Sequence, residues 1–148
     1  YRRQRQMCIR DRLAAFIPVL TGTGGNAGSQ TSATIIRGMS LGDIRPRDIL
    51  RVMGKEIQVG MICGVLLAAL NFIKQTIFSP STDIMVDLTV SVSMGFVVVV
   101  AKAMGCVLPI GAKVCKLDPA IMAGPLITTV VDAVALVIFF NVAQWLVL

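Results

Sequence analysis

The chain has 148 residues, of which 55% are hydrophobic and only 15% charged, with a mean hydropathy of +0.81. That charged share falls well below the quarter usual for soluble domains, so apolar runs of about 20 residues, with the bilayer as solvent, are expected instead. The formal charge of +6 is uneven: residues 1–12, YRRQRQMCIRDR, hold five of the fourteen basic residues and one of the eight acidic ones, leaving nine against seven elsewhere.

Residues 1–12 show neither apolar periodicity nor a cap. They read as a non-native or artefactual basic segment outside the fold, in preference to a basic arm for nucleic acid or anionic lipid. Four apolar segments follow, at about 13–36, 57–78, 84–108 and 120–148, each roughly long enough to span at 1.5 Å per residue. The fold class expected is an all-α membrane protein, with one transmembrane domain over 13–148. Arg37, Arg45, Arg47, Arg51 and Lys55 lie between the first two segments, Lys74 alone opens KQTIFSPSTD where the second segment ends, and Lys113 and Lys116 lie before the last. Basic residues favour the cytoplasmic side, which puts loops one and three inside and loop two outside. Asp43, Asp48, Glu56 and Pro46 make the first loop a turn-rich or amphipathic connector. With no histidine, and with Cys8, Cys63, Cys106 and Cys115 forming no CxxC, a zinc site, a disulfide framework or a soluble redox enzyme finds no support.

The first segment contains GTGGNAGSQT at residues 22–31. It formally fits GxGxxA, but no strand precedes it and no βαβ unit surrounds it, so a dinucleotide site is set aside. On a helix, Gly24, Gly28 and Ser32 form one row, and Gly25, Ser29 and Ala33 a second. Both are small-xxx-small patterns that let backbones approach closely in lipid. Asn26, Gln30 and Thr34 form a third row, and polar side chains at membrane depth face protein or water. Interhelical packing and the lining of a pore both satisfy this pattern.

The last segment, KLDPAIMAGPLITTVVDAVALVIFF, carries Asp132 about twelve residues into an apolar helix with no basic residue within a turn. A central Asp costs about 2.5–3.5 kcal/mol on insertion scales, which makes it a functional candidate by default. A protonated acid bonded to a neighbouring helix is the structural alternative. Asp118, Ile121, Pro125, Thr128 and Asp132 are spaced 3, 4, 3 and 4 and are expected on one helical stripe. Asp118 and Asp132 would then lie ~21 Å apart, with the Ile121 carbonyl freed by Pro125. Carboxylates, carbonyls and hydroxyls are ligands for a hard cation. Asp118 before Pro119 equally suits a helix N-cap.

Taken together, FIPVLTGTGGNAGSQTSATIIRG, LDPA and GPLITTVVD resemble the MgtE family of magnesium channels and transporters, from about residue 13 to 148. The resemblance implies a homodimer in the plasma (bacterial inner) membrane, with five transmembrane helices per subunit and a pore on the dimer axis. It matches Asp132 to the family's selectivity carboxylate, Asp118 to its inner-pore Asp and Asn26 to the Asn of its GGN motif. Metal contacts are expected from Asp132, Asp118 and Thr128; pore lining from Asn26, Gln30, Ile121, Pro125 and Thr129; helix packing from Gly24, Gly25, Gly28 and Ser32. Mg²⁺ is the ion bound and carried; the partners are a second copy, lipid and the divalent cation, with no organic cofactor, nucleic acid or enzymatic activity. Only four of the five helices are accounted for, and the upstream cytoplasmic regulatory part is absent, so the chain reads as a C-terminal fragment. Two other readings are a proton- or sodium-coupled carrier titrating Asp132 and a Mg²⁺-dependent lipid-phosphate enzyme; the latter needs two adjacent carboxylates.

Overall fold

In a computed structural model, residues 2–78 and 83–147 are described, with side chains from Met7 onward. Five α-helices follow one another: α1 (Arg2–Ala15), α2 (Ile17–Ser40), α3 (Ile49–Phe78), α4 (Ile84–Val114) and α5 (Pro125–Leu146). Short 3-10 turns at Pro46–Asp48 and Pro119–Met122 precede α3 and α5. Strands are absent among the described residues. The stretch from Pro46 to Phe78, and helices α4 and α5, are long and apolar enough to cross a membrane. α2, at 24 residues, has the length as well, but its glycines and polar rows lower its hydropathy.

The chain is a multi-pass all-α membrane domain. Its outer surface agrees with a lipid setting: α3 exposes Val59, Ile62, Leu66, Leu70, Ile73 and Ile77 along its free side. α4 is the central helix and packs against α2, α3 and α5. Neighbouring contacts fix the directions. Gly24 faces Val97 and Gly28 faces the Ala101 carbonyl, so α2 and α4 run parallel. Gly24 also faces Val131 and Ala135, while Gly28 faces Val131 and Ile127, so α5 runs antiparallel to α2. Gly60 meets Val99 and Lys102, and Gly64 meets Gly95, making α3 and α4 an antiparallel hairpin.

Small residues set these distances. A Cβ on Gly105 would collide with the Gly28 carbonyl, and one on Gly64 would stand 2.8 Å from the Gly95 carbonyl. Close backbone approach of this kind gives dispersion contacts where lipid offers no hydrophobic drive between helices. One apolar cluster, Leu13, Leu20, Val86, Val90, Met94, Phe139 and Ala143, closes one end of the bundle. Another, Ile35, Met39, Cys106 and Ile110 with Ile49, Val52 and Met53 against it, closes the connector end.

Three element boundaries differ from the sequence reading. Residues 2–15 form a helix whose Ile9 and Leu13, together with Phe16, pack onto the first cluster; their 4 and 3 spacing is an apolar periodicity the basic residues obscured. α3 begins at Ile49 rather than Ile57, because the connector's 3-10 turn runs straight into it. α4 passes through Pro109 to Val114 instead of stopping at Leu108. Pro109 lacks an N–H, but it is buried among neighbouring helices, and packing holds the helix together across it. The end of α4 is a Schellman cap: Leu117 N–H donates to the Ala112 carbonyl at 2.9 Å and Lys116 N–H to the Lys113 carbonyl at 3.1 Å. Lys116 takes the left-handed position at φ 59°, where glycine is usual.

Candidate ion site on the α2 and α5 face

The fourth expected segment is divided. Asp118 caps the 3-10 turn, its carboxylate accepting from the Ala120 N–H at 2.9 Å. The chain then turns at Gly124, with φ 70° and ψ −123°, and α5 starts at Pro125. A positive φ costs glycine nothing, and Pro125 loses no helical bond at the first position. The single stripe from Asp118 to Asp132 is therefore corrected: no helix joins the two carboxylates. The ~21 Å helical separation does not apply, and Pro125 does not free the Ile121 carbonyl. Asp118 and Ile121 are exposed beside the turn. The turn itself is docked on α2, where the Ser32 hydroxyl donates to the Met122 carbonyl at 3.1 Å.

Asp132 sits about two turns into α5. It is half-buried, and among the described residues it makes neither a hydrogen bond nor an ion pair. It lies beside Gly25 of α2. A Cβ there would stand 3.5 Å from Asp132 Oδ1 and 3.4 Å from Thr128 Cγ2, ordinary contact distances that put the carboxylate next to the α2 backbone. Thr128 turns its methyl to α2, while its hydroxyl donates to the Pro125 carbonyl at 2.9 Å. The Thr129 hydroxyl donates to the same carbonyl at 2.8 Å and is exposed.

Beside Gly25, Asn26 and Gln30 are exposed on α2, with side chains that bond to no other described residue. Gly24, Gly25, Gly28 and Ser32 are buried on the opposite sides of the same helix. The hydroxyl of Ser29, one turn beyond Gly25, is buried without a hydrogen-bond partner among the described residues. α2 and α5 together therefore present a polar, uncovered face: Asn26, Gln30, Thr129, and Asp132 at its edge. No three His, Cys, Asp or Glu side chains cluster as a metal cage among the described residues.

The sequence reading passed over a second charged group. Lys102, deep in α4, donates to Glu56 Oε2 of α3 at 3.3 Å and to the Thr31 hydroxyl of α2 at 3.1 Å. Thr31 in turn donates to Glu56 Oε2 at 2.9 Å. The Lys102 and Glu56 side chains are only 12% and 19% exposed. The signal was present: a lysine inside an apolar run is as anomalous as Asp132. Further along the same hairpin, Asn71 donates to Ser91 at 3.2 Å, and Gln75 and Asp87 are buried.

Comparison with known proteins adds the following. The MgtE family model, described as a divalent cation transporter, matches residues 17–142. The magnesium transporter MgtE of Bacillus subtilis (strain 168) is 33% identical over 135 residues, covering 88% of this chain and 29% of that protein. That of Thermus thermophilus is 36% identical over 134 residues, covering 90% and 29%. That of Enterococcus faecalis is 29% identical over 132 residues, covering 89% and 29%. The chain thus spans just under a third of the length of the curated relatives it matches.

Proposed function

The chain belongs to the MgtE family of divalent cation transporters, and on that premise we propose that it forms the ion-conducting part of a magnesium transporter in a bacterial inner membrane. The family is one of transporters rather than enzymes. In this reading two copies pair through their α2 and α5 faces, and the pore runs along the axis between them. The observation that carries it is the state of Asp132: a half-buried carboxylate, beside Gly25 of α2, with no partner among the described residues. An intramembrane charge without an internal counter-charge needs one from outside the fold.

A hydrated Mg²⁺ supplies that charge. The ion is small, octahedral and slow to shed water, so a dry protein cage would have to offset a large dehydration cost. Contact through inner-shell water avoids it. A metal–water distance of ~2.1 Å plus a hydrogen bond of ~2.7 Å puts each carboxylate oxygen roughly 4–5 Å from the metal. Two symmetry-related Asp132 side chains would then face each other across ~8–10 Å. Asn26 and Gln30 offer amides to the water shell, and the Thr128 and Thr129 hydroxyls keep lone pairs free for it. Asp118 adds a carboxylate at the inner mouth, beside a pocket of about 200 Å³ that also holds Ile36, Met39 and Lys113. Ca²⁺ holds its water at longer distances and fits the same ring less well. Outer-shell contact also keeps binding weak enough for release.

The test is growth and Mg²⁺ uptake in a magnesium-auxotrophic strain carrying the complete gene or its Asp132→Ala variant. The parent restores growth at low Mg²⁺ and the variant does not. Magnesium-selective uptake at parental rate in the variant would remove Asp132 from the mechanism.

A further inference from the structure

We infer that Thr31 and Glu56 are positioning residues for α2: their hydrogen bond fixes the rotation of this helix about its axis, and so the direction in which Asn26 and Gln30 point. The inference rests on the transport reading above. Among the described residues, α2 sends side-chain hydrogen bonds to other elements from two adjacent positions only. Ser32 reaches the Met122 carbonyl before α5, and Thr31 reaches Glu56 on α3. Leu20 and Ile35 anchor α2 in the two end clusters, and over the stretch between them it rests on its neighbours through Gly24, Gly25 and Gly28. Glycine contacts set how near two helices come, but they offer no knob to resist turning. Hydrogen bonds are directional and do resist it.

The triangle is built for that purpose more than for cohesion. α3 and α4 already pack through Gly60, Gly64 and Gly95, and a buried ion pair adds little net stability over apolar residues of similar size. What it provides is a fixed acceptor. Lys102 binds both Glu56 Oε2 and Thr31 Oγ1, holding the carboxylate oxygen 2.9 Å from the hydroxyl. Thr31 follows Gln30 directly and lies six residues from Gly25, about 9 Å along the axis from the glycine beside Asp132. A turn of α2 at Thr31 therefore displaces the amides that face the ion.

The complete protein is reconstituted in liposomes, and uptake of Mg²⁺ is compared with uptake of Ca²⁺. Thr31→Val keeps the shape and removes the hydroxyl. It should lower the preference for Mg²⁺ by up to about 100-fold, the factor that a misplacement of about 1 Å can cost. Thr31→Ser should restore the preference to near that of the parent. If the valine variant fails to reach the membrane, two neutral pairs read the same bond. Glu56→Gln with Lys102→Met keeps an acceptor and the parental preference; Glu56→Leu with Lys102→Met loses both. Unchanged preference in the valine variant or the leucine pair, or a serine variant as shifted as the valine one, overturns the inference while leaving the transport reading intact. A parent that carries neither ion overturns both.

Discussion

Lys102 and Asp132 both interrupt apolar segments, and the fold treats them in opposite ways. Lys102 is paired with Glu56, tied to Thr31, and nearly sealed between α2, α3 and α4. Asp132 lies against Gly25 with no internal partner, at the edge of the exposed polar face of α2 and α5. Each is a single ionisable side chain in an apolar segment, so the sequence context alone does not distinguish them. The difference lies in where neutralisation comes from. The first pair is complete within one chain and serves the architecture; the second is incomplete within one chain, which is the condition for meeting a cargo.

The contrast can be broken by mutation, beginning with stability. Glu56→Gln strands Lys102, and thermal unfolding in detergent should show a loss of about 3 kcal/mol; adding Lys102→Met should recover most of it. Asp132→Asn should reverse the pattern, leaving unfolding unchanged or slightly delayed while Mg²⁺ uptake falls by about 100-fold, as a focusing charge is lost. A marked drop in the stability of Asp132→Asn would mean that its carboxylate has an internal partner after all. Asp118→Ala removes the cap on Ala120 and should cost about 1 kcal/mol, with Asp118→Asn restoring it. Uptake in Asp118→Asn then separates the two roles, since a charge needed at the inner mouth is missing there although the cap is intact. The smallest effect is expected from Lys116→Gly, which relieves a left-handed lysine in the α4 cap. It should raise stability by about 1 kcal/mol and leave uptake at the parental level.

Much of this was legible in the chain because glycine and proline spacing has few readings in lipid. Of the three rows of residues 22–34, Gly24, Gly28 and Ser32 are buried, Asn26, Gln30 and Thr34 are exposed, and the middle row passes from buried Gly25 to exposed Ala33. The last segment was read less well. Helical spacing continues without a gap through IMAGPLIT, and periodicity cannot register a turn that preserves it. Gly124 followed by Pro125 was the local signal, a breaker pair that apolar length overrode. Lys102 escaped for a different reason: a run averaged over 20 residues absorbs one lysine, and its partner Glu56 lay in what was taken for a loop. Contacts between α3 and α4 depend on register, which the chain does not spell out.

The modest hydropathy of α2 bears on how the molecule is made. A helix so rich in glycine, serine and threonine, with Asn26 and Gln30 besides, gains little from partitioning into acyl chains on its own. Yet it is synthesised before α4 and α5, the helices that cover its small-residue sides. Stable burial of its small-residue rows therefore waits on two later and more hydrophobic helices, which ties the integration of α2 to theirs.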